Sequence, residues 1–345
     1  MFAGRGFFFV PIEMTSPNEQ TQQAELSEPA RSQMRFCILG SGSAGNCAFL
    51  QTPSARVLID AGFSARHTSE LLADIGESWE RIDAIFITHE HGDHADALGG
   101  LAKHGRVKVF ANAPTARAVQ ARLHHKPAWR IFETGARFDF LDLSVESFSV
   151  PHDAQEPVGF LFTLNESHAA HNASGAHDAS GSSGAGDAHD DSGVLGTGGA
   201  LCAAGAHNVG GAHGGGAFAG GAHSVAWLTD LGYTPQHVHE RIRGAEVLVV
   251  EANHCPEMLK ADTKRPWAIK QRIGGRHGHL SNEAARALLE AVEHPAWRQI
   301  YLTHLSRDCN SADAIMRAFA GIEATLKCPY AVVPPGERTA FYEFA

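Results

Sequence analysis

The chain has 345 residues, and its hydrophobic content of 43% is sufficient for the core of one large domain or two ordinary ones. A formal net charge of −10 would argue against a nucleic-acid partner if it were spread over the whole chain. Much of it is confined to segment 165–223, however, which holds five acidic residues and no lysine or arginine. Six cysteines without a C-x-x-C pair exclude a disulfide scaffold and predict reduced thiols in a cytoplasmic protein.

Residues 1–33 open the chain and contribute a further net charge of −2, so the remaining body carries only about −3. We predict that this segment is a disordered N-terminal extension, and Met34 is a candidate for the natural start. The apolar run 6–12 is too short to cross a bilayer, and no small-residue cleavage pattern follows it. We therefore expect no membrane association.

Short runs rich in Val, Ile, Leu and Phe predict strands throughout residues 35–164. Pro114 is well suited to the first turn of a helix over 113–124. Strands whose two faces are both apolar indicate sheets covered by helices, and hence an α/β fold. The strands predicted in this part of the chain are 35–39, 57–60, 84–88, 107–111, 143–150 and 158–164.

The run from Thr88 to His94 is the most informative part of the sequence, because it places three imidazoles and a carboxylate within six residues. Neutral imidazole and carboxylate are ligands that suit zinc, manganese and iron alike. The H-x-H-x-D-H spacing is too short for one helix face, so we predict that a strand ends here and turns into a loop. The candidate metal ligands of this run are His89, His91, Asp93 and His94.

From residue 165 to residue 223 the composition is reduced almost entirely to Gly, Ala, Ser, Asp and His. Such a segment cannot bury enough apolar surface to offset the entropy of ordering, so we predict a disordered insertion. It would replace the turn of a hairpin between the runs 158–164 and 224–230. Its seven histidines are an alternative loose metal reservoir, although solvated low-complexity sequence is the interpretation we favour.

Strands are predicted again at 225–230, 246–251 and 299–304, and Ser281 is expected to cap a helix that runs to about His294. Between them lies a basic stretch, which is either a solvated face or a surface for nucleic acid. Trp267 within it is either a packing residue or a surface on which a base stacks. The basic residues of this stretch are Lys260, Lys264, Arg265, Lys270, Arg272 and Arg276, opposed by Glu257 and Asp262.

Polar residues recur at the carboxyl ends of the predicted strands. Because strand ends from several parts of a sheet meet along one edge, we expect these side chains to form a single constellation. Asp60 is expected to orient a ligand histidine rather than to bind metal itself. The predicted ligands are His89, His91 and His152 for one metal, and Asp93, His94 and His304 for a second, with Asp230 bridging the two.

These residues resemble, in order, the five motifs of the metallo-β-lactamase superfamily, from Asp60 to His304. The resemblance covers the chain from Met34 to about Asn310 without the insertion, and it implies an αββα sandwich with the metals at one edge of the paired sheets. True β-lactamases of this superfamily usually lack a ligand equivalent to His94, and they often use a cysteine where this chain has Asp230. Antibiotic hydrolysis is therefore not expected.

The C-terminal third is similar to the tRNA 3′-processing endonucleases (tRNase Z) and most similar to the branch called YycJ or WalJ. That resemblance implies a 5′ to 3′ exonuclease acting on DNA, and a tRNA-gripping arm has no evident counterpart here. It also implies that Asp93, His279, Glu251 and Asp60 form the catalytic set, with Glu251 orienting His279. The motifs that carry it are Gly40–Asn46, Glu251–His254, Pro266–Lys270, Gly278–Ala285 and His304–Asn310.

The expected mechanism uses two divalent ions, zinc or manganese with iron as a third candidate, to hold an activated hydroxide that attacks phosphorus in line. His279 would stabilise the pentavalent phosphorus or protonate the leaving oxygen, although an imidazole here could also simply satisfy a buried carbonyl group. Two alternatives stay open. One is another hydrolase of this fold, such as a thioesterase, a lactonase or a small cyclic-phosphodiesterase, and the other is a metal-bound signalling or repair partner without catalysis.

Overall fold

The computed structural model describes residues 34–165 and 222–345. The predicted N-terminal extension and nearly all of the predicted insertion lie outside these residues. No helix in the described part of the chain combines the length and apolar character that a bilayer crossing requires.

The first sheet has the strand order β14-β1-β2-β3-β4-β5-β6. Strands β1, β2 and β3 pair antiparallel, whereas β3, β4, β5 and β6 pair parallel. The strands are β1 (Arg35–Gly40), β2 (Cys47–Gln51), β3 (Arg56–Ile59), β4 (Ala84–Phe86), β5 (Lys108–Asn112), β6 (Ala128–Phe132) and β14 (Tyr342–Glu343).

The second sheet has the order β13-β12-β11-β10-β9-β8-β7. The two runs that flank the insertion pair antiparallel, with Thr163 opposite Ser224, as the sequence predicted. The remaining pairs from β10 to β13 are parallel. The strands are β7 (Arg137–Phe140), β8 (Leu143–Ser149), β9 (Val158–Leu164), β10 (Ser224–Leu228), β11 (Val247–Glu251), β12 (Gln299–Thr303) and β13 (Tyr330–Val332).

Helices connect the parallel strands, and several begin at a side chain that caps the first turn. Asn112, Ser281 and Ser311 each accept a hydrogen bond from the backbone N–H three residues ahead. The helices are α1 (Ala65–Ala73), α2 (Gly92–Ala95), α3 (Ala113–Gln120), α4 (Gln236–Ile242), α5 (Pro256–Ala261), α6 (Trp267–Ile273), α7 (Asn282–Ala291) and α8 (Ala312–Ala318).

Alternate residues of each strand enter different cores, which explains why the strands are apolar on both faces. In β4, Ala84 and Phe86 enter the core between the sheets, whereas Ile85 faces the helices over the first sheet. In β10, Val225 and Trp227 belong to the same central core, and Ala226 and Leu228 face the helices over the second sheet. The layers are therefore helix, sheet, sheet, helix, which confirms the predicted αββα sandwich.

Several predicted boundaries were wrong by a few residues. The helix from residue 113 ends at Gln120 rather than 124, and the helix after Ser281 ends at Ala291, because Val292 is extended. The segment after β4 is not a simple loop, because Gly92–Ala95 forms one helical turn that carries Asp93 and His94. A four-residue turn is too short to show helical periodicity in the sequence.

Candidate metal centre

The candidate ligands follow the carboxyl ends of strands from both sheets. His89 lies three residues after β4, His152 three after β8, Asp230 two after β10, and His304 directly after β12. Asp60, Asp230 and His304 have positive φ angles of 57°, 59° and 55°, and they are three of the five such non-glycine residues in the described chain. Backbone in this sparsely populated region turns each side chain away from its strand direction at a cost that the surrounding fold must offset.

Three imidazoles form the first ligand group. His89 Nε2 lies 3.0 Å from His91 Nδ1, and His152 Nε2 lies 3.3 Å from the same atom. Zinc binds imidazole nitrogen at about 2.0–2.1 Å, so two nitrogens of one tetrahedral site lie about 3.3–3.4 Å apart. His152 Nδ1 donates a hydrogen bond to the Gly278 carbonyl at 3.0 Å, which leaves Nε2 as the nitrogen that faces the group.

Asp93, His94 and His304 form the second group, next to the carboxylate of Asp230. His94 Nε2 lies 3.0 Å from Asp230 Oδ2, and His304 Nε2 lies 3.5 Å from Asp93 Oδ2. Asp230 Oδ1 also lies 3.7 Å from His152 Nε2. The Asp230 carboxylate therefore stands between the two groups, where a bridging ligand would be.

Asp60 is fully buried and contacts the back of the second group. Its Oδ2 accepts a hydrogen bond from His94 Nδ1 at 2.8 Å and another from Trp227 Nε1 at 3.1 Å. Its Oδ1 accepts from the Thr88 backbone N–H at 2.9 Å. This arrangement fixes the ring of His94 so that Nε2 faces the other ligand atoms.

The Glu251 carboxylate contacts two imidazoles, those of His279 and His304. Its Oε2 lies 3.0 Å from His304 Nδ1 and 3.2 Å from His279 Nδ1, while Oε1 accepts hydrogen bonds from the backbone N–H groups of Leu231 and Leu280. Burial alone would favour the protonated acid, but His279 and His304 outweigh it and hold the pKa of Glu251 at about 2. The carboxylate is therefore ionised, and it orients both rings.

Burial lowers the pKa values of the histidines at the site, whereas neighbouring carboxylates raise them. Burial lowers the pKa of His89 well below its usual value, and His94 adds to that effect. Burial also disfavours the charged form of His279, but Glu251 outweighs it and raises the pKa of His279. Burial also lowers the pKa of His152, so His89 and His152 are suited to bind a metal ion as neutral ligands.

The side chains present fit a metal pair. In the described chain, Asp230 Oδ2 and His304 Nε2 are buried, and although His94 Nε2 and Asp93 Oδ2 lie close to them, neither atom makes a hydrogen bond of good geometry. That is costly unless an ion or another ligand contacts them. The candidate ligand atoms of each group lie within 4.8 Å of one another. Imidazole and carboxylate donors of this kind suit divalent zinc, manganese or iron.

The two groups open into a cavity of about 210 Å³ that is also lined by Ile269, Arg272 and His279. A larger groove of about 1130 Å³ lies between α3 and β6, but none of the candidate ligands lines it. We place the chemistry in the smaller cavity, because the buried titratable groups converge there.

Sequence reasoning missed several residues that support the ligands. Thr88 Oγ lies 3.0 Å from His89 Nδ1 and 3.0 Å from Asp60 Oδ1. Ser41 Oγ accepts a hydrogen bond from the His304 backbone N–H at 2.9 Å, and Asn46 Nδ2 lies 3.1 Å from His94 Nε2. The run Gly40–Asn46 is one of the motifs that carry the sequence resemblance, but nothing in it indicates which side chains reach the histidines.

The sequence matches the metallo-beta-lactamase superfamily over residues 40–250 and a beta-lactamase superfamily domain over residues 198–305. It is 30% identical over 279 residues to the exodeoxyribonuclease YycJ of Bacillus anthracis, which covers 80% of this chain and 84% of that relative. It is 31% identical over 281 residues to the exodeoxyribonuclease WalJ of Streptococcus pneumoniae, covering 80% of this chain and 83% of WalJ.

Among solved structures, the short form of human tRNase Z superposes with a TM-score of 0.51 over 89% of this chain and 98% of that one. At 14% identity this similarity supports the fold alone. The superfamily fold implies divalent metal binding, which agrees with the histidine and aspartate groups. The resemblance predicted from the motifs is confirmed, and this chain is a metal-dependent hydrolase that belongs to the metallo-beta-lactamase superfamily and, within it, to the family of the YycJ and WalJ exodeoxyribonucleases.

Proposed function

We propose that this chain is a dinuclear phosphodiesterase that degrades DNA exonucleolytically from the 5′ end. The observation that carries the proposal is that four features lie at one cavity of about 210 Å³. They are the two ligand groups, the Asp230 carboxylate between them and the further imidazole of His279. The relatives named exodeoxyribonucleases support DNA as the substrate. The reduced thiols that the sequence indicates favour the cytoplasm.

The proposed ligands are His89, His91 and His152 for one ion and Asp93, His94 and His304 for the other, with Asp230 shared. Two divalent ions held there would supply a water of lowered pKa and positive charge against the phosphate oxygens.

The protein side chains supply orientation and a proton. Glu251 accepts from His279 Nδ1, so Nε2 is the nitrogen available to donate a proton to the leaving oxygen of the diester. Two successive backbone N–H groups hold His279 in place: its own donates to the Ile273 carbonyl at 2.8 Å, and that of Leu280 donates to the Glu251 carboxylate at 2.8 Å. Asp60 keeps His94 in its ligand orientation.

The test is purification without added metal, elemental analysis, and assays with zinc and manganese added separately. We expect hydrolysis of bis-p-nitrophenyl phosphate and of single- and double-stranded DNA only after metal is restored. DNA labelled at the 5′ end should release its label first as a short product, and DNA labelled at the 3′ end should shorten progressively.

The variant that examines the proton donor is His279→Asn, with His277→Asn as the matched control, since His277 is an exposed histidine two residues away. We expect His279→Asn to lower kcat about 10²-fold or more with unchanged metal content, and His277→Asn to resemble the wild type. Thioester hydrolysis without diester hydrolysis would contradict the proposal, and a metal-loaded protein without any hydrolysis would favour a binding role.

A further inference from the structure

Helix α6 borders the metal cavity, yet none of its seven residues is buried. The cavity is lined by Ile269 and by Arg272 and Ile273, which lie three and four residues after it and so on the same side of the helix. Trp267 and Lys270 share a different face of the helix, and the Trp267 side chain is 62% exposed. A helix in a folded domain normally buries one apolar stripe, so an apolar helix face exposed beside a cavity indicates a surface that contacts a ligand.

Exposed large apolar side chains concentrate at this place. The described chain has six of them, and three are Tyr233, Trp267 and Ile269. Tyr233 follows Asp230 by three residues, and the guanidinium of Arg276 lies 4.4 Å from the centre of its ring. Gly232, the residue before Tyr233, packs directly against the Arg276 backbone three residues after the end of α6, because a Cβ at position 232 would approach that backbone to 2.4 Å. We call the surface formed by Tyr233, Trp267, Ile269, Lys270 and Arg276 the α6 rim.

The positive charges of the α6 rim are available to a ligand. Lys264 and Arg265, earlier in the same basic stretch, form ion pairs with Asp308 at 2.5 and 2.9 Å, respectively. Lys270 instead donates to the Lys260 carbonyl, and Arg276 stacks on Tyr233. Within residues 34–165 and 222–345, no carboxylate forms an ion pair with Lys270 or Arg276. Two unneutralised cations beside an exposed aromatic ring complement a phosphate backbone that carries accessible bases.

We propose that the α6 rim binds single-stranded nucleic acid next to the scissile diester, with Trp267 stacking on an unpaired base and Lys270 and Arg276 contacting phosphates. This inference rests on the proposed phosphodiesterase function and specifies the form of its substrate. An unpaired base offers its face to an aromatic ring, whereas a base inside a duplex has both faces covered by its neighbours. Because every base has such a face, binding at the α6 rim tolerates any sequence.

The test measures the Kd of metal-loaded protein for a fluorescent single-stranded DNA with phosphorothioate linkages that resist hydrolysis. We expect Trp267→Ala to weaken binding about tenfold and Trp267→Phe to retain most of the affinity. Met316→Ala is the control, because Met316 is 55% exposed on α8 and lies outside the α6 rim, and it should bind as the wild type does.

Abasic sites placed one at a time along the DNA locate the stacked base. At one position near the end of the DNA, the abasic site should weaken the affinity of the wild-type protein. The same abasic site should not lower the affinity of Trp267→Ala any further, because that variant lacks the stacking ring. Replacing Lys270 or Arg276 by Gln should each reduce the slope of log Kd against log salt concentration by about 0.7, the contribution of one phosphate contact in a single strand.

Unchanged affinity of Trp267→Ala would overturn the inference, as would an equal loss of its affinity for a blunt duplex of the same length. Hydrolysis of bis-p-nitrophenyl phosphate is measured in parallel on every variant. If the wild type lacks that activity, the proposed function fails; if the activity is present and DNA affinity is insensitive to Trp267, only the assignment of the α6 rim fails.

Discussion

Asp60 shows how one buried carboxylate can organise a site without binding metal itself. It accepts hydrogen bonds from His94, Thr88 and Trp227, and these come from two distant parts of the chain, the run 88–94 and strand β10. A buried carboxylate is stable only when such donors compensate its lost hydration. Its partners therefore serve both the stability of the carboxylate and the orientation of His94.

We predict that Asp60→Asn lowers metal affinity about 10- to 100-fold, because an amide oxygen is a weaker acceptor for His94 Nδ1–H than a carboxylate. Asparagine tolerates the positive φ of this position, so the backbone should be retained. Metal content after dialysis and kcat/KM are the measurements.

Asp142→Asn is the matched control for that variant. Asp142 is also fully buried and accepts from the Thr52 hydroxyl and the Ser54 N–H, but it lies away from the metal cavity. It should lose stability without losing metal. Equal metal loss in both variants would show that Asp60 acts only through general stability.

His254 provides a prediction about pH. It is buried, and burial lowers its pKa from 6.5 to about 4 although Glu251 opposes the shift. Between pH 6.5 and pH 4 the unfolded chain therefore binds a proton at this position that the folded chain does not bind. The stability that the neutral ring contributes is complete above pH 6.5, and it is lost as the pH falls toward 4.

We expect the free energy of unfolding of the wild type to fall relative to that of His254→Gln by up to about 1.4 kcal/mol for each pH unit in this window. Urea unfolding at several pH values, in the presence of a chelator, measures the difference. His277→Gln should keep the wild-type pH dependence, since His277 is exposed. Parallel curves for the wild type and His254→Gln would contradict the prediction.

At the scale of elements, the chain between α6 and α7 positions His279. The His279 N–H donates to the Ile273 carbonyl at the end of α6, and two residues later Ser281 caps α7 by accepting from the Ala284 N–H at 3.1 Å. The short connection has little freedom, so the orientation of His279 depends on how firmly each helix begins and ends.

We predict that Ser281→Ala and Ser311→Ala each lower the free energy of unfolding by about 1 kcal/mol, the usual effect of losing an N-cap. Ser311 caps α8 with the same 3.1 Å geometry, which makes it the matched control. Only Ser281→Ala should also lower kcat, by several-fold, because only that cap adjoins His279. Thermal unfolding and diester hydrolysis measure the two effects, and equal kcat values for the variants would refute the link.

At the scale of the whole molecule, the candidate ligands come from both sheets, so the site exists only when the sheets face each other. The insertion, unlike the ligands, does not connect the two sheets. It is attached between β9 and β10, which pair directly with each other in the second sheet. The Leu164 N–H donates to the His223 carbonyl at 2.9 Å, and Thr163 lies opposite Ser224. The two strand ends can therefore be joined directly.

We predict that replacing residues 166–222 by a short Asn-Gly-containing turn leaves kcat/KM and metal content within about twofold of the wild type. A type I′ turn of this kind matches the twist of paired antiparallel strands. Elemental analysis and diester hydrolysis are the measurements. Loss of metal in the shortened protein would instead support the histidine-rich segment as a reservoir.

The sequence by itself determined the fold class and most of the residues that meet at the metal cavity. Apolar runs mark buried strands, and polar residues such as Asp60, His152 and His304 follow them within three residues. Because the ends of such strands share one edge of a sheet, local patterns predicted which residues would be neighbours without coordinates.

Tertiary structure alone decided how those residues are supported. Trp227 reaches Asp60 across 167 positions, and Glu251 contacts His304 as well as the predicted His279. The helical turn that carries Asp93, and the nitrogen that each ring presents, were likewise not predictable. Periodicity reports only neighbours along one element, whereas these contacts depend on how the two sheets pack face to face, and that is set by the side chains of the whole core.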